Sequence, residues 1–251
     1  MSEIASSPTP PAAGHNAWSR RRFLKAAAWG GAAALTGYPL LRALKPVAEP
    51  PAATFIASVP DYHRELRGHI LRGLTELHIT ASQVNGKRIL LKPNLVEPHR
   101  RSAHINTHPL LIQAAAEAFF ALGAASVTVA EGAGHRRDAY MVLEDSGLAD
   151  VLYEDRIPFI DLNNADAVPV ANQGGRSRLG DHLYLPQAVL AADMVVSLAK
   201  MKTHHWVGAT LAMKNLFGMM PGSIYGWPKN VLHWAGIGPS ILDIVATVRP
   251  A

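Results

Sequence analysis

Three short runs of apolar and β-branched residues, 88–91, 126–130 and 193–198, constrain this chain most. Each is too short for a helix and ends in polar residues, and helical spacing fills the stretches between them. Residues 61–77 carry Leu66, Ile70, Leu71, Leu74 and Leu77 at helical spacing, with Asp61 as N-cap. Thr107 caps a helix over 108–122, with Pro109 in its first turn and Gly123 past its end. A further helix is expected over about 137–144, a turn near 148–153 and a strand over 158–162. A hairpin spans 168–185 around Gly174-Gly175, and helices follow over 186–191, 207–219 and 239–248. Strands alternating with helices predict an α/β fold: a mostly parallel sheet with helices on both faces, in a Rossmann-like three-layer arrangement. The chain stops directly after a helix, where such a fold calls for another strand, so a missing C-terminal part is expected.

Composition narrows the function classes. The 251 residues are 49% hydrophobic and 17% charged, a globular balance. Without Cys, the chain holds no disulfide, zinc-thiolate site or iron–sulfur cluster of its own. Six Lys/Arg against two Glu give residues 1–50 a charge of +4. The other 201 residues carry only +1, so the basic balance gives no support for nucleic-acid binding.

The N-terminus reads as an address. Residues 1–18 are Ser-, Pro- and Ala-rich, with the composition of a disordered segment. Ser19-Arg20-Arg21-Arg22-Phe23-Leu24-Lys25 precedes an uncharged apolar stretch to Leu41, and residues 46–60 form a Pro/Ala-rich linker. The 19–45 segment resembles a twin-arginine export signal. That resemblance implies passage through the twin-arginine machinery to the periplasm or another extracytoplasmic space, as folded cargo. Left uncleaved, the segment would also anchor the chain to the membrane. The 61–251 body is read as a single α/β domain.

Ligands of open parallel sheets bind beyond the carboxyl ends of the strands. There the first strand offers Lys92 and Asn94, the second Glu131 with Gly132 and Gly134, and the third Lys200, Lys202, Thr203, His204 and His205. Lysines beside Asn and Thr suit a carboxylate or phosphate. His204 suits a metal ligand or a general base, and Glu131 a hard-cation ligand or proton acceptor. The plainer alternatives are an ordinary Lys-Pro-Asn turn and a solvated or capping His. Extended neighbours face opposite ways, so only one of His204 and His205 should face a pocket. Gly132-x-Gly134 lacks the third glycine of the dinucleotide fingerprint. The Gly/Pro-rich segment with Trp227, His233 and Trp234 reads either as a loop covering the site or as one with its own small cluster.

Several segments together resemble the domain-of-unknown-function family 362. They are residues 89–96 (ILLKPNLV), 107–109 (THP), the run ending at Gly132, 146–148 (SGL), 192–222 and His233. The most telling are Lys202-Thr203-His204 and Lys214-Asn215-Leu216-Phe217-Gly218. The resemblance implies one site built from Lys92, Asn94, Lys202, His204, Lys214 and Asn215. Many relatives carry Cys-rich, ferredoxin-like segments, from which this Cys-free chain departs.

Three functions follow as expectations. The first is an exported acid–base or redox enzyme that binds an anionic small molecule, with a divalent metal or organic cofactor. Lys92, Asn94, Lys214 and Asn215 would hold the ligand, and His204, Lys202 and Glu131 would do the chemistry. The second is a periplasmic binding or maturation protein that holds an anion without turning it over. The third is an accessory subunit that docks a redox partner through residues 225–234.

Overall fold

The computed structural model describes residues 52–63, 65–98, 104–227 and 229–251. The 1–18 and 19–45 segments, with the start of the linker, lie outside them. Four strands form the central sheet: β1 (Arg88–Pro93), β2 (Ser126–Glu131), β3 (Phe159–Asp161) and, later in the chain, β6 (Met194–Leu198). Their spatial order is β3-β2-β1-β6, and every neighbouring pair is parallel. The three expected strands are therefore neighbours whose carboxyl ends share one edge.

Both faces are covered, as an all-parallel sheet requires. Side chains alternate along β1, so Ile89 and Leu91 enter one core and Leu90 the other. The first core packs Ile89, Leu91, Val127 and Val129 against α3 (Pro109–Ala121), α4 (Ala139–Asp145) and α5 (Leu148–Glu154). The second packs Leu90, Ala130 and Val195 under Phe217, Met219, Leu232 and Ile244. Ile244 belongs to the C-terminal helix α10 (Ile237–Val248). A hairpin, β4 (Ala167–Ala171) with β5 (His182–Pro186), pairs antiparallel outside the main sheet, as expected. Ala251 N–H donates to Val195 O on β6.

Several boundaries differ from the sequence expectation. Helix α1 covers Leu66–Glu76 and is capped by Glu65, while Asp61 instead accepts from His63 N–H. Phe55 of the linker sits against α1, where a Cβ on Gly73 would come within 2.7 Å of its ring. A short, unexpected helix α2 (Ala81–Val84) precedes β1, while α6 (Gln187–Ala191), expected over 186–191, precedes β6. His108, not Thr107, caps α3, through its Nδ1.

The largest departure follows β6. A helix was expected over 207–219. The chain instead forms a hairpin, β7 (Lys202–His204) with β8 (Gly208–Thr210), then the single turn α7 (Ala212–Asn215) and a 3-10 turn (Leu216–Met219). Gly208 has φ +75°, which turns the chain where a helix would have run on. The 225–234 segment is also more ordered than expected, with helices α8 (Gly222–Tyr225) and α9 (Asn230–Trp234).

Candidate functional site

Lys92 lies within β1, not in a loop after it, and is fully buried. An isolated ammonium there would be very costly, and Glu131 at the end of β2 offsets it. Lys92 Nζ lies 2.6 Å from Glu131 Oε1 and donates to Pro93 O at 2.7 Å. Burial pulls the Lys92 amine below the usual lysine range, and Glu131 opposes that pull. Glu131 is 2% exposed, and backbone donors reach both of its oxygens: Gly132 N–H on Oε1 and Leu95 N–H on Oε2, each at 2.8 Å. With both oxygens engaged, Glu131 anchors the loops after β1 and β2 instead of standing ready as a cation ligand or proton acceptor. The 3-10 turn closes over the pair at Gly218. A Cβ there would lie 2.5 Å from Glu131 Oε1 and 2.8 Å from Lys92 Nζ, so only glycine fits.

A chain of amides extends from Lys92. Its backbone carbonyl accepts from Asn215 Nδ2 at 2.9 Å, which fixes the orientation of that amide. Asn215 Oδ1 then faces Asn94 Nδ2 at 3.0 Å. Asn94 is thereby oriented as well, and its Oδ1 is buried with no hydrogen-bond partner among the described residues. Thr107 Oγ1 ties this loop to β6, accepting from Asn94 N–H and donating to Leu198 O.

These strand ends line a cavity of about 410 Å³. Lys92, Asn94, Glu131, His204, Lys214 and Asn215 all border it. Lys202 does not, because its ammonium turns away and donates to Ile105 O at 2.6 Å. Sequence reasoning missed Lys229, which also lines the cavity. It is 6% exposed, and its Nζ donates to Gly132 O at 3.3 Å and Gly218 O at 3.2 Å. Burial, against the pull of Glu131, pushes the Lys229 amine down to about 7. Lys214 Nζ sits over the Phe217 ring at 4.3 Å, and burial pushes it down to about 8. Among the described residues, neither Lys214 nor Lys229 has a carboxylate partner.

Backbone partners fix two imidazoles in opposite roles. His204 Nδ1 accepts from Trp206 N–H at 3.2 Å, so the neutral ring carries its proton on Nε2. Burial, with Lys214, His205, His233 and Lys202 adding to it, pushes His204 down to about 4. His204 is therefore a neutral donor near neutral pH, and the nitrogen that would act as base is occupied. His233 Nδ1 lies 2.9 Å from Lys229 O, which can only accept, so this nitrogen carries the proton and Nε2 the lone pair. His204 and His205 were expected to diverge, yet both line the cavity with rings stacked 4.8 Å apart. Strand β7 ends at His204, and the chain turns at His205.

Residues 89–251 match the family model described as Domain of unknown function (DUF362), a span that holds every lining residue named above. The chain belongs to the DUF362 family. The thylakoid-associated protein sll1697 of Synechocystis sp. is similar: 31% identical over 147 residues, covering 57% of this chain and 42% of that protein. This chain thus spans less than half the length of that relative.

The family signature acquires physical content in this DUF362 chain. Asn215 of the Lys-Asn-Leu-Phe-Gly run sets the amide chain, Phe217 faces Lys214, and Gly218 admits the Lys92–Glu131 pair. Among the described residues no three His, Asp or Glu side chains gather as a metal site. Among those residues, too, no helix is long and apolar enough to cross a membrane.

Proposed function

We propose that this DUF362 chain is an exported protein that binds an anionic small molecule or organic cofactor at the carboxyl edge of its sheet, and performs acid–base chemistry on it. One observation carries the reading: three lysines and two glutamates line the cavity, and both carboxylates are already committed, Glu131 to Lys92 and Glu97 to Arg137. The charge left over belongs to Lys214 and Lys229. A carboxylate or phosphate is the partner that would neutralise it. The volume suits one small molecule.

Benzoate and inorganic phosphate are suitable probes for calorimetric titration of the full chain. Lys214→Met is expected to weaken binding about tenfold or more, as loss of a charge-assisted contact should. No binding of either anion to the unsubstituted chain would contradict the reading.

Export rests on the twin-arginine-like segment, which lies outside the described residues. Replacing Arg20 and Arg21 by Lys is expected to retain the chain in the cytoplasm. Unchanged fractionation would overturn that half of the proposal. The Synechocystis relative is named for association with thylakoids. Carried over, this would place the chain beside a membrane, where an uncleaved signal segment would also hold it.

A second reading, an accessory protein docking a redox partner, draws on Trp206 and Trp234. They are 57% and 76% exposed. Trp234→Ser would disable that partnership and leave anion binding unchanged.

A further inference from the structure

Lys229 contributes twice to the cavity. Its backbone is left-handed, with φ +66°, and caps α9 from outside. That conformation aims its carbonyl at His233 Nδ1, one turn on, while its ammonium turns back between the carbonyls of Gly132 and Gly218. The His233 ring is held edge-on against two aromatic rings, Trp206 at 4.4 Å and Phe217 at 5.1 Å between centroids. Tautomer and orientation are therefore both set by the fold. Nε2 makes no hydrogen bond among the described residues, and the ring borders the cavity. Asn94 Oδ1 is a second acceptor on the same cavity without a partner among the described residues. A simple anion meets the lysines and the Nε2–H of His204, but it offers no donor to either acceptor, and Asn94 Oδ1, which is buried, is costly to leave unpaired.

We propose that His233 is the proton acceptor of this cavity, and that the ligand is an anion carrying an acidic O–H or N–H in addition to its negative group. This rests on the anion-binding reading above. In the step, the ligand's X–H bond breaks, its electron pair stays on X, and the proton moves to Nε2 to form an imidazolium. Burial disfavours the imidazolium in the free protein, the Lys229 carbonyl opposes that, and the charges of Lys214, His205 and Lys229 add to the burial effect. The negative charge generated on X offsets them, so proton transfer is coupled to ligand binding. His204, with its proton on Nε2, can only donate and would hold the anion.

Two measurements on the full chain test this. Nitrogen-15 NMR of the histidine rings reads the tautomers without any ligand. The expected spectrum has the proton on Nδ1 of His233 and on Nε2 of His204, and a bare Nδ1 on His233 overturns the proposal. The second uses benzoate and 4-hydroxy-3-nitrobenzoate, whose phenolate absorbs visible light, below the phenol's own pKa. Binding to the unsubstituted chain should raise the phenolate band with close to zero protons released, read by calorimetry in two buffers. His233→Asn should either lose the band or release close to one proton per ligand. A band and proton count identical in both proteins overturn the role of His233 and leave anion binding standing. Failure of both acids to bind the unsubstituted chain overturns both readings.

Discussion

Glu131 shows how one side chain can be necessary without touching a ligand. It holds an ammonium and two backbone amides from two segments of chain, and its carboxylate is almost out of water. Removing one member of a buried pair leaves the other uncompensated, at about 3–5 kcal/mol. Glu131→Gln is expected to cost about that much in chemical denaturation and to loosen the Gly218 turn. A change below about 1 kcal/mol would mean that the pair is solvated and the closure over it incomplete. The sequence pointed to Lys92 and Glu131 because both follow apolar strands. It could not show that they meet each other, since parallel strand order is set by the whole sheet. Lys229 had no local signal: its neighbours are a turn sequence, and only tertiary folding brings its ammonium back over Gly132.

At the scale of elements, the parallel strands were legible because their apolar runs are short, buried and followed by polar residues. The hairpin after β6 was not. Leu211, Met213 and Phe217 sit at spacings that a helix could use, and the turn at Gly208 outweighs them. The divergence expected of His204 and His205 failed for the same reason, because it presumed that extended backbone continued past His204. The β4–β5 hairpin has an anchor that the sequence did not reveal. Asp243 of α10 is fully buried and accepts from Arg176 N–H, Ser177 N–H, Ser177 Oγ and Asn172 Nδ2. Burial opposes its ionisation, but these donors outweigh it and hold the carboxyl below the usual range. Its contribution is therefore present above the unfolded carboxyl pKa and is lost as pH falls through the folded one. Asp243→Ala is expected to destabilise the fold by about 2–4 kcal/mol and to expose residues 172–181 to hydrogen exchange, with anion binding retained in the folded fraction. Unchanged exchange in that segment would show that the hairpin is held by other contacts.

For the whole molecule, two lysines held near 7 and 8 link folding and binding to pH in opposite senses. Both amines lie below the usual lysine value of about 10.4. From about pH 7 to 10 the folded chain therefore carries fewer protons than the unfolded one, and ligand-free stability rises with pH through that window. Anion binding needs the protonated amines, so affinity runs the other way. Benzoate keeps a constant charge over this range and is the cleanest probe. The most direct test of the central claim is its dissociation constant for the full chain, measured between about pH 6 and 9. Affinity is expected to be flat below about pH 6.5, then to fall through 7 and 8, approaching about tenfold per pH unit for each ammonium required. In Lys229→Met the onset should move up toward the Lys214 value. An affinity that is constant across the range, or that rises with pH, would contradict the account.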